Sequence, residues 1–293
     1  MRPLRHALSL LLGLLTLTAW GQSAAERSYQ IYATAQQKII SLDELVASVA
    51  DTDVLFFGEM HDDAVGHWLQ DTLYTLLLDR YGAAHLSLEM FETDCQQVVD
   101  EYLADFITLD KLIAEGRAWN NYREAYHPLV ETAKERGQAV IAANAPRRYV
   151  NLVSRRGQSA LQALPKASRR HLSPLPIYTG DEAYRQRFQD LMGGFGGHGG
   201  LGDKIFEAQC TWDASMAYRI YRFWRKNKGA LIFHLNGSFH TDYQQGTITQ
   251  LRRLRSKLAI QNISCFPASD YAQPNWSQYT DRGDYIIISP EVK

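Results

Sequence analysis

Cysteine is scarce in this 293-residue chain, with Cys95, Cys210 and Cys265 far apart. No Cys-x-x-Cys pair occurs, which excludes a cysteine zinc knuckle and a dithiol redox site. An oxidising compartment would leave room for one disulfide and one spare thiol; buried, inert thiols are the simpler expectation. An excess of one charge is also missing: 31 basic and 32 acidic residues give a formal charge of −1. With no basic stretch, nucleic acid is not an expected partner. Three catalytic signatures are absent: the Gly-x-Ser-x-Gly elbow, the His-Glu-x-x-His helix and the P-loop. A serine hydrolase, a zincin and a P-loop ATPase therefore have no support. Gly194-x-Gly196-x-x-Gly199 has dinucleotide spacing, but the polar, helical stretch Tyr184–Asp190 precedes it. The fingerprint requires a strand there, so nucleotide binding is rejected.

Long apolar runs are confined to the N-terminus. Arg2 and Arg5 precede the run Ala7–Ala19, and the small residues Ser23-Ala24-Ala25 follow. This pattern is that of a secretory signal peptide, residues 1–25, cleaved after Ala25. The run is short for a span, which needs about 20 apolar residues. No cysteine near that site could carry a lipid, so export without a lipid anchor is expected. Loss of the leader removes two arginines and takes the formal charge to −3.

The remaining chain, 26–293, reads as one domain with a core of about 53–266. Ser41 and Glu44 form a capping-box signature. Apolar runs at Asp53–Phe57, Ala84–Phe91, Gln138–Ala143, Ala230–Leu235 and Ala259–Phe266 read as strands, with a short one at Tyr285–Ile288. Ser28–Tyr32 reads as an edge strand. Helical spacing covers Asp63–Arg80, a long region from Asp94 to about Arg136, Asp181–Met192, Asp203–Lys226 and Gln245–Leu258. Strands separated by helices give an α/β fold with a mostly parallel central sheet, and the middle helical stretch is an insertion or cap.

The candidate site follows from the strand ends. In open α/β sheets, ligands bind beyond the carboxyl ends of the strands. Gly58-x-x-His61 ends the first central strand and Gly237-x-x-His240 ends the fourth. Glu59, Glu89, Asn144 and Arg147 are also delivered at strand ends. Glu59, His61 and His240 are donors suited to a divalent metal. Glu59, Glu89 and Arg147 are candidate catalytic groups, a glutamate serving as general base. His198 sits in a glycine-rich segment beside Phe195 and could ligate a porphyrin, as His or Tyr does in haem proteins. Tyr126 belongs to an aromatic cluster with Trp119, Tyr122 and His127 that either walls a pocket or packs in the core. His234 reads as a core histidine with a backbone partner.

Five ordered blocks carry a family resemblance. They are Gly58–Asp62, Leu88–Phe91, Ala142–Arg147, Gln209–Ala217 and Asn236–His240. Together they resemble the ChaN family, exported haem-binding proteins of bacterial iron uptake within the Tiki superfamily. The resemblance implies paired helices flanking the sheet and haem as the ligand. It leaves open a homodimer and a loose association with a membrane or receptor. The wider superfamily includes metal-dependent proteases with two Gly-x-x-His motifs and an acidic partner. These map onto His61, His240 and Glu59 or Glu89. Two functions are thus expected: haem binding in uptake, or divalent-metal-dependent hydrolysis of the protease or esterase kind.

Overall fold

A computed structural model describes residues 28–193 and 200–291. The signal-peptide reading of 1–25 lies outside the described residues. β1 (Gln30–Ala33) and β2 (Lys38–Ile40) form a hairpin, followed by α1 (Leu42–Ser48). The capping box on α1 is made: Ser41 Oγ accepts from Glu44 N at 3.2 Å, and Ser41 N donates to Glu44 at 2.8 Å. β3 (Val54–Glu59) leads to α2 (Ala64–Tyr81) and β4 (Ala84–Glu92). Four helices come next: α3 (Gln96–Leu103), α4 (Leu109–Glu115), α5 (Tyr122–Ala125) and α6 (His127–Glu135). β5 (Val140–Asn144) precedes α7 (Arg147–Arg156), α8 (Lys166–Arg169), α9 (Glu182–Leu191) and α10 (Leu201–Lys226). β6 (Leu231–Gly237), α11 (Thr247–Leu254), β7 (Ile260–Ala268) and β8 (Tyr285–Pro290) complete the chain.

The eight strands form one sheet in the order β2-β1-β8-β7-β3-β6-β4-β5. From β8 to β5 all pairings are parallel; β1 alone runs against its neighbours, pairing antiparallel with both β8 and β2. The expected mostly parallel sheet is therefore present. The first strand, read as an edge, is instead second from the edge, because Lys38–Ile40 adds β2 outside it. Three residues with two exposed side chains gave no strand signal in the sequence.

β3 and β6 are buried along their whole length and lie side by side. Helices on both faces explain the unbroken apolar runs. Leu55 and Phe57 point into one core, with α1, α2 and the α3–α6 region. Val54 and Phe56 point into the other, against α10 and α11. The period-two alternation of a strand thus feeds two separate cores. Asp53 fixes the entry to β3: its carboxylate accepts from Trp224 Nε1 at 2.8 Å and from Ala259 N at 2.9 Å. The three cysteines are buried free thiols.

Candidate functional site

The register pairs Gly58 with Asn236 and Glu59 with Gly237. Both Gly-x-x-His motifs therefore leave adjacent parallel strands at the same level. Each glycine makes room for the other motif. A Cβ on Gly58 would lie 2.9 Å from Ser238 Cα, and one on Gly237 would lie 2.8 Å from His61 Nε2. The two motifs interlock: at Gly58 the neighbour is backbone and only hydrogen fits, whereas at Gly237 the neighbour is the His61 ring, which can move.

Around the first motif, Glu59 is buried and held by three donors. His61 Nδ1 lies 2.7 Å and Tyr126 Oη 2.5 Å from its Oε1, while Gln70 Nε2 donates to Oε2. His67 Nε2 stands 3.6 Å from Oε2. The His61 side chain is 45% exposed, so this histidine reaches solvent while its partner does not. Burial pushes the His61 pKa down, but the Glu59 hydrogen bond and the Glu89 charge outweigh it, and the net shift is upward. His67 shifts downward through burial. A cleft of about 520 Å³ opens beside His61 and His67, bounded by Trp68, Asn121 and Pro128.

Around the second motif the histidine is buried. His240 Nδ1 lies 2.7 Å from Asp213 Oδ1, and Nε2 lies 3.6 Å from Glu89 Oε1. Asp213 also accepts from Thr247 Oγ1 and from Tyr184 Oη, each at 2.9 Å. Burial opposes protonation of His240, but the Glu89 and then Asp213 carboxylates prevail and raise its pKa to about 9. The imidazole is therefore a buried cation at neutral pH. Glu89 links the arms: its Oε2 accepts from Gly237 N at 2.8 Å.

The structure thus brings Glu59, His61, Glu89 and His240 to one mouth. Arg147 stands apart at the start of α7, its side chain 70% exposed and 3.7 Å from Glu92. Tyr126 is wholly buried, with its hydroxyl spent on Glu59. His198 lies outside the described residues. His234 is a core histidine, as read from the sequence, but its partner is the Ser87 side chain (2.8 Å) rather than backbone; burial lowers its pKa to about 3. Sequence reasoning missed Asp213, Gln70 and Tyr184 as site groups. A signal existed for two of them. Asp213 and Gln70 each interrupt the apolar stripe of a helix, and a polar group there must be paired when buried.

A divalent metal does not fit this donor set. Among the described residues no three His, Cys, Asp or Glu side chains gather in a metal-holding arrangement. Both Glu59 oxygens already accept hydrogen bonds, from His61 and Tyr126 on one and from Gln70 on the other. Among the described residues, no helix is long and apolar enough to cross a membrane.

Comparison with known proteins agrees with this architecture. Five solved structures match the chain. ChaN of Campylobacter jejuni, solved for cofacial haem binding, superposes with a TM-score of 0.68 at 18% identity, covering 90% of this chain and 97% of that one. The type III effector HopBA1 matches with a TM-score of 0.49 at 12% identity, covering 86% and 94% of the two chains. A mutant erythromycin esterase, EreC, in its open conformation gives 0.48 at 13% identity, covering 82% and 77%. No curated protein sequence matches. The family described as haem-binding uptake, Tiki superfamily, ChaN, matches residues 45–251. That span is most of the chain and contains both Gly-x-x-His arms, so the chain belongs to the ChaN family.

Proposed function

We propose that this chain is an exported haem-binding protein of iron or haem uptake, and that haem docks at the mouth formed by β3 and β6. Membership of the ChaN family over residues 45–251 is the observation that carries this reading. Haem needs an axial nitrogen or oxygen donor and apolar contact for its faces. The residues at the mouth fit both needs. His61 is the half-exposed imidazole there, and Glu59 on its Nδ1 leaves Nε2 as the donor nitrogen, the arrangement that fixes a ligating histidine. Among the described residues, exposed large apolar side chains include Met60 and Tyr243, in or just after the motifs, and Leu191 and Met192 at the end of α9. Arg187 ties α9 to this face by donating to the carbonyls of Phe239 and Asp242. Tyr126 acts through Glu59 as a positioning residue. His198 is a second candidate ligand, in the segment between Met192 and Leu201. Bound haem is the cargo, and the chain's own groups hold and orient it.

Haemin titration of the purified protein is expected to give a saturable Soret shift; a spectrum that only adds free haemin would refute the reading. His198→Ala should alter the bound spectrum if that residue ligates iron, and an unchanged spectrum removes it. Export is tested by sequencing the N-terminus of protein from a periplasmic extract. Glu26 is the expected first residue; an intact Met1 would show that the leader is retained.

One observation favours a second reading. Both mouth histidines have Nδ1 held by a carboxylate, the orientation in which Nε2 exchanges protons with a substrate. A hydrolase acting on esters or peptides is the corresponding activity, with Glu89 between the arms. Hydrolysis assays with and without added manganese or cobalt, alongside elemental analysis of the purified protein, test it; no turnover in either condition removes this reading.

A further inference from the structure

A second cluster of chemistry lies away from the mouth, along the C-terminal half of α10. Arg219, Arg222 and Lys226 follow one another at helical spacing, so they share a face. At 1.5 Å per residue they stand about 9 to 20 Å beyond Asp213 along the helix axis. Arg219 and Arg222 line a pocket of about 240 Å³ with Lys226, against the edge strand β5. Arg222 also lines a second pocket of about 540 Å³, whose other cations are Arg169 and Arg170 from the end of α8. The two pockets share Arg222, and together this two-pocket groove is lined by five cationic side chains. Asp100 is the groove's one acidic lining residue, and it already accepts from Gln96 Nε2 at 2.9 Å.

The groove is built rather than incidental. Gln96 closes the free edge of β5, donating to Val140 O and accepting from Ala142 N, both at 2.8 Å. Arg219 Nη2 is anchored on the same Gln96 oxygen at 3.0 Å. Arg219 Nε is buried without an acceptor, a costly state for a charged donor. Burial and then the neighbouring Arg222 push the Arg219 pKa down, against the opposing pull of the Asp100 charge. Among the described residues, Arg169, Arg219, Arg222 and Lys226 form no ion pair with this chain's own carboxylates. The sequence hides the cluster because its members come from two segments some fifty positions apart.

We propose that this groove binds a small polyanion carrying two or more phosphate or carboxylate groups, one in each pocket and both held by Arg222. Guanidinium forks match such oxyanions two bonds at a time. The concave shape of both pockets favours a soluble ligand over a flat anionic surface. The site is distinct from the haem mouth and does not depend on it.

Calorimetric titration of the full chain with tripolyphosphate tests the proposal. Saturable binding is expected, weakening as salt rises. Arg222→Glu, a change at an exposed position, should lose at least about tenfold in affinity, because charge-assisted contacts are removed and a repulsive charge added. Arg80→Glu makes the same charge change on α2 and should bind as the parent does. Thermal unfolding of both variants controls for folding. Absence of saturable binding by the parent chain overturns the proposal, as does an equal loss in both variants. Binding to phosphatidylglycerol vesicles without binding of soluble tripolyphosphate would also overturn it, and would assign the groove to a membrane surface.

Discussion

The two Gly-x-x-His arms share a sequence pattern and a strand register, yet they are opposite in character. The first places His61 half in solvent, with its acidic partner Glu59 anchored behind it by Gln70 and Tyr126. The second places His240 inside the protein as a cation between Asp213 and Glu89. One arm presents an imidazole; the other stores a charge. Equal motifs thus need not mean equal roles, and the partner that each histidine finds decides which role it takes.

Removing each histidine should separate the arms most strongly. His240→Ala leaves Asp213 buried without its cation and is expected to cost about 3–5 kcal/mol of stability. His61→Ala keeps the Gln70 and Tyr126 donors on Glu59 and should cost about 1 kcal/mol or less. Urea denaturation of both variants measures the difference, and equal losses would erase the distinction.

Proton removal does reversibly what the first substitution does permanently. His240 has a folded pKa of about 9 against an ordinary value of 6.5. The native state therefore holds a proton that the unfolded chain releases between those values. Its contribution is fully present below about pH 6.5 and is lost as pH rises through 9. His234 acts on the acid side: its folded pKa of about 3 means that stability falls as pH drops below 6.5. Denaturation midpoints across pH 5–10 should decline on both flanks, and His240→Ala should flatten the alkaline one.

The glycines sharpen the comparison at a smaller scale. A Cβ on Gly58 meets the Ser238 backbone, which cannot move aside cheaply, and Gly58→Ala is expected to cost about 1–3 kcal/mol. A Cβ on Gly237 meets only the His61 ring, which can turn into solvent. Gly237→Ala should therefore be nearly neutral for stability while changing the environment of His61, as read by the NMR shifts of that ring. Comparable to the Gly58 effect, Tyr126→Phe removes one charge-assisted hydrogen bond from Glu59 and should cost about 1.5–3 kcal/mol at most, with a lowered His61 pKa if Glu59 then moves away.

Much of this molecule is legible in its sequence. The apolar runs that become β3, β4, β6 and β7 are long, and their buried faces admit only strands between helical layers. The site is legible where strands end in charge, at Glu59, His61, Glu89 and His240. What stayed hidden depends on side chains meeting across the fold. Asp213 sits in the middle of α10, and nothing local shows that His240 lies 2.7 Å away. Arg147 reads like its strand-end neighbours, yet α7 starts there and turns its side chain outward. Lys38–Ile40 is too short and too exposed to announce a strand. The helical region after Asp94 looks continuous, but it divides into four helices; a Cβ at Gly116, where α4 ends, would lie 2.4 Å from the Leu112 carbonyl oxygen.

The central claim is that haem docks on the face presented by the first arm. Paired haemin titrations of the parent chain and Met60→Glu test it most directly, because Met60 is exposed between Glu59 and His61 and a carboxylate there opposes an apolar macrocycle. A saturable Soret shift in the parent, weakened by about tenfold or more in Met60→Glu at unchanged stability, is the expected result. An unshifted Soret band in the parent, or equal affinities for the two proteins, would contradict the account.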